Sequence, residues 1–154
     1  MNAQEQRSAG SFTILMAEDD PDDRFLVARA FQELRVDATL RFVENGEELM
    51  HYLFGIGKHA DSEASPRPGL ILLDLNMPKK NGREVLKEIR LVPEFRELPI
   101  IIWTTSNHKE DRVLCHKAGA TSYVTKPYSY EELVDEIRTV VKRWLPSATY
   151  SELS

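Results

Sequence analysis

A single cysteine, Cys115, stands in a chain of 154 residues, so no internal disulfide is possible and no cysteine-based metal site is available. Long apolar runs are missing too. The longest fall far short of the roughly 20 residues that cross a bilayer. The opening MNAQEQRSAGS is polar and has no apolar signal-peptide core, so the cytoplasm is the expected compartment and no membrane association is expected. Basic excess is absent as well. The 20 Lys and Arg residues face 25 Asp and Glu, a net charge of −5, which argues against a basic face for nucleic acid. The acidic residues are dispersed rather than gathered in a tail.

What is there suits one ordinary domain with a real core: 154 residues, 42% of them hydrophobic and 29% charged. Residues 1–11 are expected to be a disordered polar segment. Short β-rich runs then alternate with helical patterns. Strands are expected at 12–17, 39–43, 70–75, 99–104 and 122–125. Helices are expected at 22–34, 47–54, 82–91, 109–118 and 130–145. Pro21 favours entry to the first helix, and Gly119 and Pro146 end the last two. Residues 39–43 alternate as an edge strand does. Gly55 to Gly69 is loop by its Gly, Pro and Ser content. The βα unit occurs five times, which implies an α/β fold: a doubly wound five-stranded parallel sheet with helices on both faces.

The run Leu70-Ile71-Leu72-Leu73 ends on Asp74, a carboxylate that is costly to bury without partners. In an open parallel sheet the partners arrive from neighbouring strand ends, where ligands also bind. The first strand is followed by Glu18-Asp19-Asp20. Asn76 follows Asp74 closely. The fourth strand ends in Thr104-Thr105-Ser106, and the fifth leads into Lys126-Pro127. Carboxylates gathered this closely repel one another. A divalent cation relieves the repulsion, and an all-oxygen set suits Mg2+. Acidic groups, a cation, a lysine and a hydroxyl donor together suit a phosphoryl group, with Asp74 as candidate nucleophile. Pro127 is a candidate for a cis bond that would aim the lysine.

In this order, Glu18-Asp19, Asp74, Thr104, Tyr123 and Lys126-Pro127 resemble the motif set of the receiver domain of two-component response regulators, over residues 12 to 145. The resemblance implies a flavodoxin-like sheet in the order 2-1-3-4-5. It implies phosphorylation of Asp74 by a histidine kinase, with Mg2+ on Asp19, Asp74 and the Asn76 carbonyl and with Glu18 beside it. Lys126 would pair with the phosphoryl oxygens, while Thr104 and Tyr123 would act as the switch pair. Two positions depart from the family pattern. Glu18 stands where Asp is commoner, and Thr105 stands where Ala is frequent, narrowing access to Asp74. LILLDLNMPKKNGREVL, the long loop before it and TTSN further resemble the stand-alone regulators paired with phytochrome-type histidine kinases.

A haloacid-dehalogenase-like phosphatase would carry an Asp two residues after the nucleophile. Asn76 stands there and cannot act as general acid or base. A phosphorylation-independent binding module would not need the full reactive set. Asp20, Asp22 and Asp23 are read as acids that complement the dipole of the first helix. GIGKHA (55–60) lacks the spacing of a phosphate loop, and the His residues at 51, 59, 108 and 116 lack metal spacing. The receiver is expected to span 12–146 and to be no enzyme beyond its own phosphoryl transfer and autodephosphorylation. Too few residues follow Leu145 for an output domain. The output is therefore expected through a downstream protein, a histidine phosphotransfer protein or a homodimer. The last helix carries Leu133, Val134, Ile137, Val140, Val141, Trp144 and Leu145, a wide apolar surface that suggests a dimer face. The tail, 147–154, is a candidate dimer arm through Tyr150 and Leu153.

Overall fold

The computed structural model describes residues 12–150, so the disorder expected for 1–11 and the position of Leu153 lie outside the described residues. Five strands, β1 (Thr13–Ala17), β2 (Thr39–Val43), β3 (Leu70–Leu73), β4 (Ile100–Thr104) and β5 (Ser122–Thr125), form one parallel sheet in the order β2-β1-β3-β4-β5. Helices α1 (Pro21–Glu33), α2 (Gly46–Phe54), α3 (Gly82–Leu91) and α4 (Lys109–Ala118) connect them, and α5 (Tyr130–Trp144) follows β5. β2 is an edge strand, as its alternation predicts. The doubly wound architecture and strand order match the expectation.

Strand alternation divides the core in two. Ile14, Met16, Leu70, Leu72, Ile101 and Trp103 pack against α1 and α5. Leu15, Ala17, Ile71, Leu73, Ile100 and Ile102 pack against α2, α3 and the buried Cys115 of α4. Because both faces are covered, the central strands read as unbroken apolar runs. Each large side chain buried in this way contributes about 1.5–3 kcal/mol of transfer free energy.

Helix starts follow local chemistry. Asp20, Asn45, Asn81 and Ser129 each accept a hydrogen bond from a first-turn N–H, and Pro21 occupies the first turn of α1. Asp20 thus has the helix-end role assigned to it. Gly119 ends α4 at φ +106°, a conformation that favours glycine. Gly46 opens α2 where a Cβ would lie 2.2 Å from the Lys80 carbonyl oxygen, so this glycine lets α2 approach the β3–α3 loop.

Two expectations change shape. The apolar residues of α5 are spent on the chain's own core: Leu133, Val134, Ile137, Val140, Val141 and Leu145 are buried and Trp144 packs partly against them. Their number reflects a helix seated between α1 and the sheet rather than a spare face. The first part of the tail also folds back. Ser147–Thr149 form a 3-10 turn, Thr149 is buried, and its carbonyl accepts the Asp37 N–H at 2.5 Å. Tyr150 packs partly against the same core.

Candidate functional site

Strand register builds the acidic cluster. Ala17 pairs with Leu73, so Glu18 and Asp74 leave adjacent strand ends side by side. The Asp74 N–H donates to the Ala17 carbonyl at 3.2 Å, and the Glu18 N–H to Val43 at 2.9 Å. These bonds extend the ladder one step past the strands and fix both side chains. Glu18 and Asp74 are buried, whereas Asp19 is exposed. Carboxylate oxygens of Glu18, Asp19 and Asp74 all lie within 4.8 Å of one another.

Lys126 enters from the other side. Its backbone N–H donates to the Thr104 carbonyl at 2.7 Å, continuing the β4–β5 pairing in which Thr104 lies opposite Thr125. Its ammonium Nζ lies 2.5 Å from Glu18 Oε1, 2.9 Å from Asp23 Oδ2 and 3.1 Å from Asp74 Oδ2. The peptide bond between Lys126 and Pro127 is trans, like every other among the described residues, which corrects the expected cis bond. The lysine is aimed by the Thr104 hydrogen bond, so the commoner isomer serves. Asp23 is a second correction. It reaches Lys126 as well as lying in the first turn of α1, and no spacing in the sequence marked it.

The charges interact strongly. Burial pushes the Glu18 carboxyl up to about 7, with the Asp74 charge adding to the rise and Lys126 opposing it. Burial alone would lower the Lys126 ammonium. Its hydrogen bonds to Asp23 and Glu18, and the charges of Glu18 and Asp74, outweigh that and push it up. One lysine is too little for the carboxylates around it. An all-oxygen acidic set with an exposed member on the solvent side fits a hard divalent cation, which Glu18, Asp19 and Asp74 would hold.

The remaining candidates surround this cluster. Asn76 is exposed and donates its N–H to Asp74 Oδ1 at 3.1 Å. Thr104 is fully buried and its Oγ1 accepts the Ser106 N–H at 3.4 Å. Thr105 is exposed. Tyr123 is half-buried. Its hydroxyl donates to the Ser106 carbonyl at 2.9 Å, and the Arg112 guanidinium lies 4.6 Å from its ring centre. Buried Trp103 lies one residue before Thr104. His108 caps α4 in solvent, whereas His59 hydrogen-bonds Ser65 and Glu48 in the α2–β3 loop, away from the acidic cluster.

Residues 14–138 match the family model of the response regulator receiver domain. The chain belongs to this family. Response regulator Rcp1 of Synechocystis sp. (strain ATCC 27184 / PCC 6803 / Kazusa) is 35% identical over 136 residues, 88% of this chain and 90% of that protein. The receiver also superposes on the crystal structure of Mn2+-bound Rcp1 with a TM-score of 0.79, 34% identity and coverage of 92% and 99% of the two chains. The phosphorylated cyanobacterial phytochrome response regulator RcpA gives 0.82, at 33% identity and coverage of 93% and 100%. Response regulator RPA3017, in red light signaling of R. palustris, gives 0.83, at 32% identity and coverage of 92% and 99%. This receiver is thus a signalling domain of a response regulator, and a phosphatase is not favoured. Among the described residues, no helix is long and apolar enough to cross a membrane.

Proposed function

We propose that the chain acts as a single-domain, cytoplasmic response regulator in which Asp74 accepts a phosphoryl group from a histidine kinase. The observation that carries this reading is the meeting of Asp74 with Glu18, Asp19 and Lys126 at the carboxyl edge of the sheet. An Asp74 carboxylate oxygen attacks phosphorus, and the bond from phosphorus to the kinase imidazole nitrogen breaks, the nitrogen keeping the electron pair. Lys126 Nζ, already on Asp74, neutralises phosphoryl oxygens. Glu18, Asp19, Asp74 and the Asn76 carbonyl would hold Mg2+, which would supply charge neutralisation for the transferring group. Thr104 and Tyr123 then respond to the new charge, and a few kcal/mol of differential contact shifts the population between two packings. Thr105 borders the entrance to Asp74.

The similarity to RcpA and RPA3017 supports a phytochrome-type kinase as donor. A downstream protein or a histidine phosphotransfer protein would receive the signal. A homodimer centred on β5 and α5 draws support from Val113 and Leu114 on neighbouring α4, which are 43% and 55% exposed. Phosphotransfer from a panel of the host's autophosphorylated kinases, phytochrome-type included, tests the donor. Asp74→Asn is expected to abolish acid-labile labelling, because an amide is a poor nucleophile. Undiminished labelling would overturn the assignment. Asp19→Ala is expected to weaken Mg2+ binding, read by the change in intrinsic tryptophan fluorescence, to which Trp103 beside Thr104 contributes. Affinity equal to that of the parent would remove Asp19 from the ligand set.

A further inference from the structure

The β4–α4 connection, residues 105–108, is held in an unusual way. Cys115 is the only buried residue of α4, while Val113 and Leu114 face solvent. Apolar packing therefore anchors this helix weakly. A polar chain does much of the holding. The Arg83 guanidinium, from the first turn of α3, donates to Asp111 Oδ1 from Nε at 3.1 Å and from Nη2 at 2.6 Å. Ser106 Oγ donates to the other oxygen, Asp111 Oδ2, at 2.5 Å. The Ser106 carbonyl accepts the Tyr123 hydroxyl, and its N–H reaches Thr104 Oγ1. Ser106 thus joins α3, α4 and β5 to the residue that ends β4. The Asp111 side chain is 15% exposed and that of Arg83 35%, so the pair is only partly screened. Hydrogen bonds from Ser106 and Arg83 hold the Asp111 carboxyl below its ordinary value.

We propose that Arg83, Asp111 and Ser106 form a latch that positions Thr104 in the resting state and opposes its movement toward a phosphoryl group on Asp74; this rests on the phosphoacceptor reading above. Thr104 and Ser106 are two residues apart on one connection. If Thr104 is drawn toward Asp74, Ser106 follows, and its bonds to Asp111 and Tyr123 stretch or break. An interaction made only in the resting state lowers the affinity of anything that selects the other state. Arg83, Asp111 and Ser106 are positioning residues, since they act through Thr104.

The test is titration of the full chain with beryllofluoride, a phosphoryl analogue, in saturating Mg2+, read by the change in intrinsic fluorescence of its two tryptophans, of which Trp103 adjoins Thr104. Ser106→Ala and Arg83→Met are each expected to tighten binding about fivefold. The double variant is expected to gain little beyond either single, because both cut one chain. Arg83→Lys restores the charge and is expected to stay near the parent. A purely structural role predicts unchanged or weaker binding in the variants, and that result overturns the proposal. If Arg83→Met does not fold, Asp111→Asn keeps the side-chain shape and is expected to tighten binding in its place. A parent chain that binds no beryllofluoride overturns the phosphoacceptor reading, and the coupling with it. Amide exchange of the unliganded chain then decides the latch itself. Faster exchange confined to residues 105–118 in the variants supports it, and unchanged or uniformly faster exchange overturns it.

Discussion

Burial holds the Glu18 carboxyl near pKa 7, and this sets a pH dependence for the metal-free chain. An acid whose folded pKa is raised binds its proton more tightly folded than unfolded. Below its ordinary value of 4.5 the group is protonated in both states and adds no penalty. As pH rises toward 7 the unfolded chain ionises first, and the fold pays for the buried charge. Stability in EDTA is therefore expected to fall between about pH 5 and pH 8, by up to roughly 3 kcal/mol. The raised Lys126 and lowered Asp111 and Glu48 titrate outside this window and leave the sign unchanged. Glu18→Gln is expected to flatten the profile. Urea unfolding at the two pH values checks this, and a parent profile that rises would contradict it. At this scale the sequence was informative where strand ends converge. Glu18, Asp74, Thr104 and Lys126 each end or follow a strand, so topology alone brought them to one edge. Asp23 escaped because its partner, Lys126, follows β5 over a hundred residues away, and helix periodicity carries no record of that approach.

Among the elements, the strands were readable because a sheet covered on both faces leaves uninterrupted apolar runs, and helix ends were readable from Pro21 at the start of α1 and from Gly119 and Pro146 past the ends of α4 and α5, while the Asn81 and Ser129 side-chain caps emerge only from the structure. The surplus on α5 was misread for a reason of packing. A helix lying between a neighbouring helix and a sheet needs a wider apolar face than one lying on a surface. The joint between α3 and the α4–β5 turn shows a different invisibility. Arg90 donates to the carbonyls of Gly119 and Phe95, at 2.8 and 2.6 Å, and to Thr121 Oγ1 at 3.3 Å. Burial lowers its pKa, yet one guanidinium serves both the nearby turn at Phe95 and, about thirty residues on, the turn at Gly119 and Thr121. Gly119 must lack a side chain here, because a Cβ would lie 2.7 Å from Arg90 Cγ. Arg90→Met keeps much of the stem and leaves those acceptors without their donor. It is expected to cost about 2–4 kcal/mol in urea unfolding. A loss below about 0.5 kcal/mol would show that water replaces the guanidinium.

For the whole molecule, the tail and the question of assembly are linked. Ser147 to Tyr150 belong to the monomer's own packing, through the Thr149 carbonyl on Asp37 and the Tyr150 ring against the α1–α5 core. A chain truncated after Pro146 is therefore expected to lose about 1–2 kcal/mol of stability, from one hydrogen bond and one partly buried ring. A homodimer through the α4, β5 and α5 side needs no residue beyond Pro146. A homodimer built by an arm needs the tail. Light scattering at micromolar concentration separates them. Dimer mass for both the full and the truncated chain, with the truncated one easier to unfold, is the expected result. Dimer mass for the full chain alone would move the interface to the tail. Monomer mass for the full chain, with and without beryllofluoride, would contradict assembly under those conditions. On the latch proposal, phosphorylation is expected to couple to the same surface. Val113 and Leu114 stand on the helix that Arg83 and Ser106 restrain through Asp111. Release of Ser106 is expected to let α4 turn and carry the exposed apolar pair with it. Ser106→Ala is accordingly expected to shift the monomer–dimer midpoint in the same direction as beryllofluoride does in the parent, and a shift in the opposite direction would separate the latch from assembly.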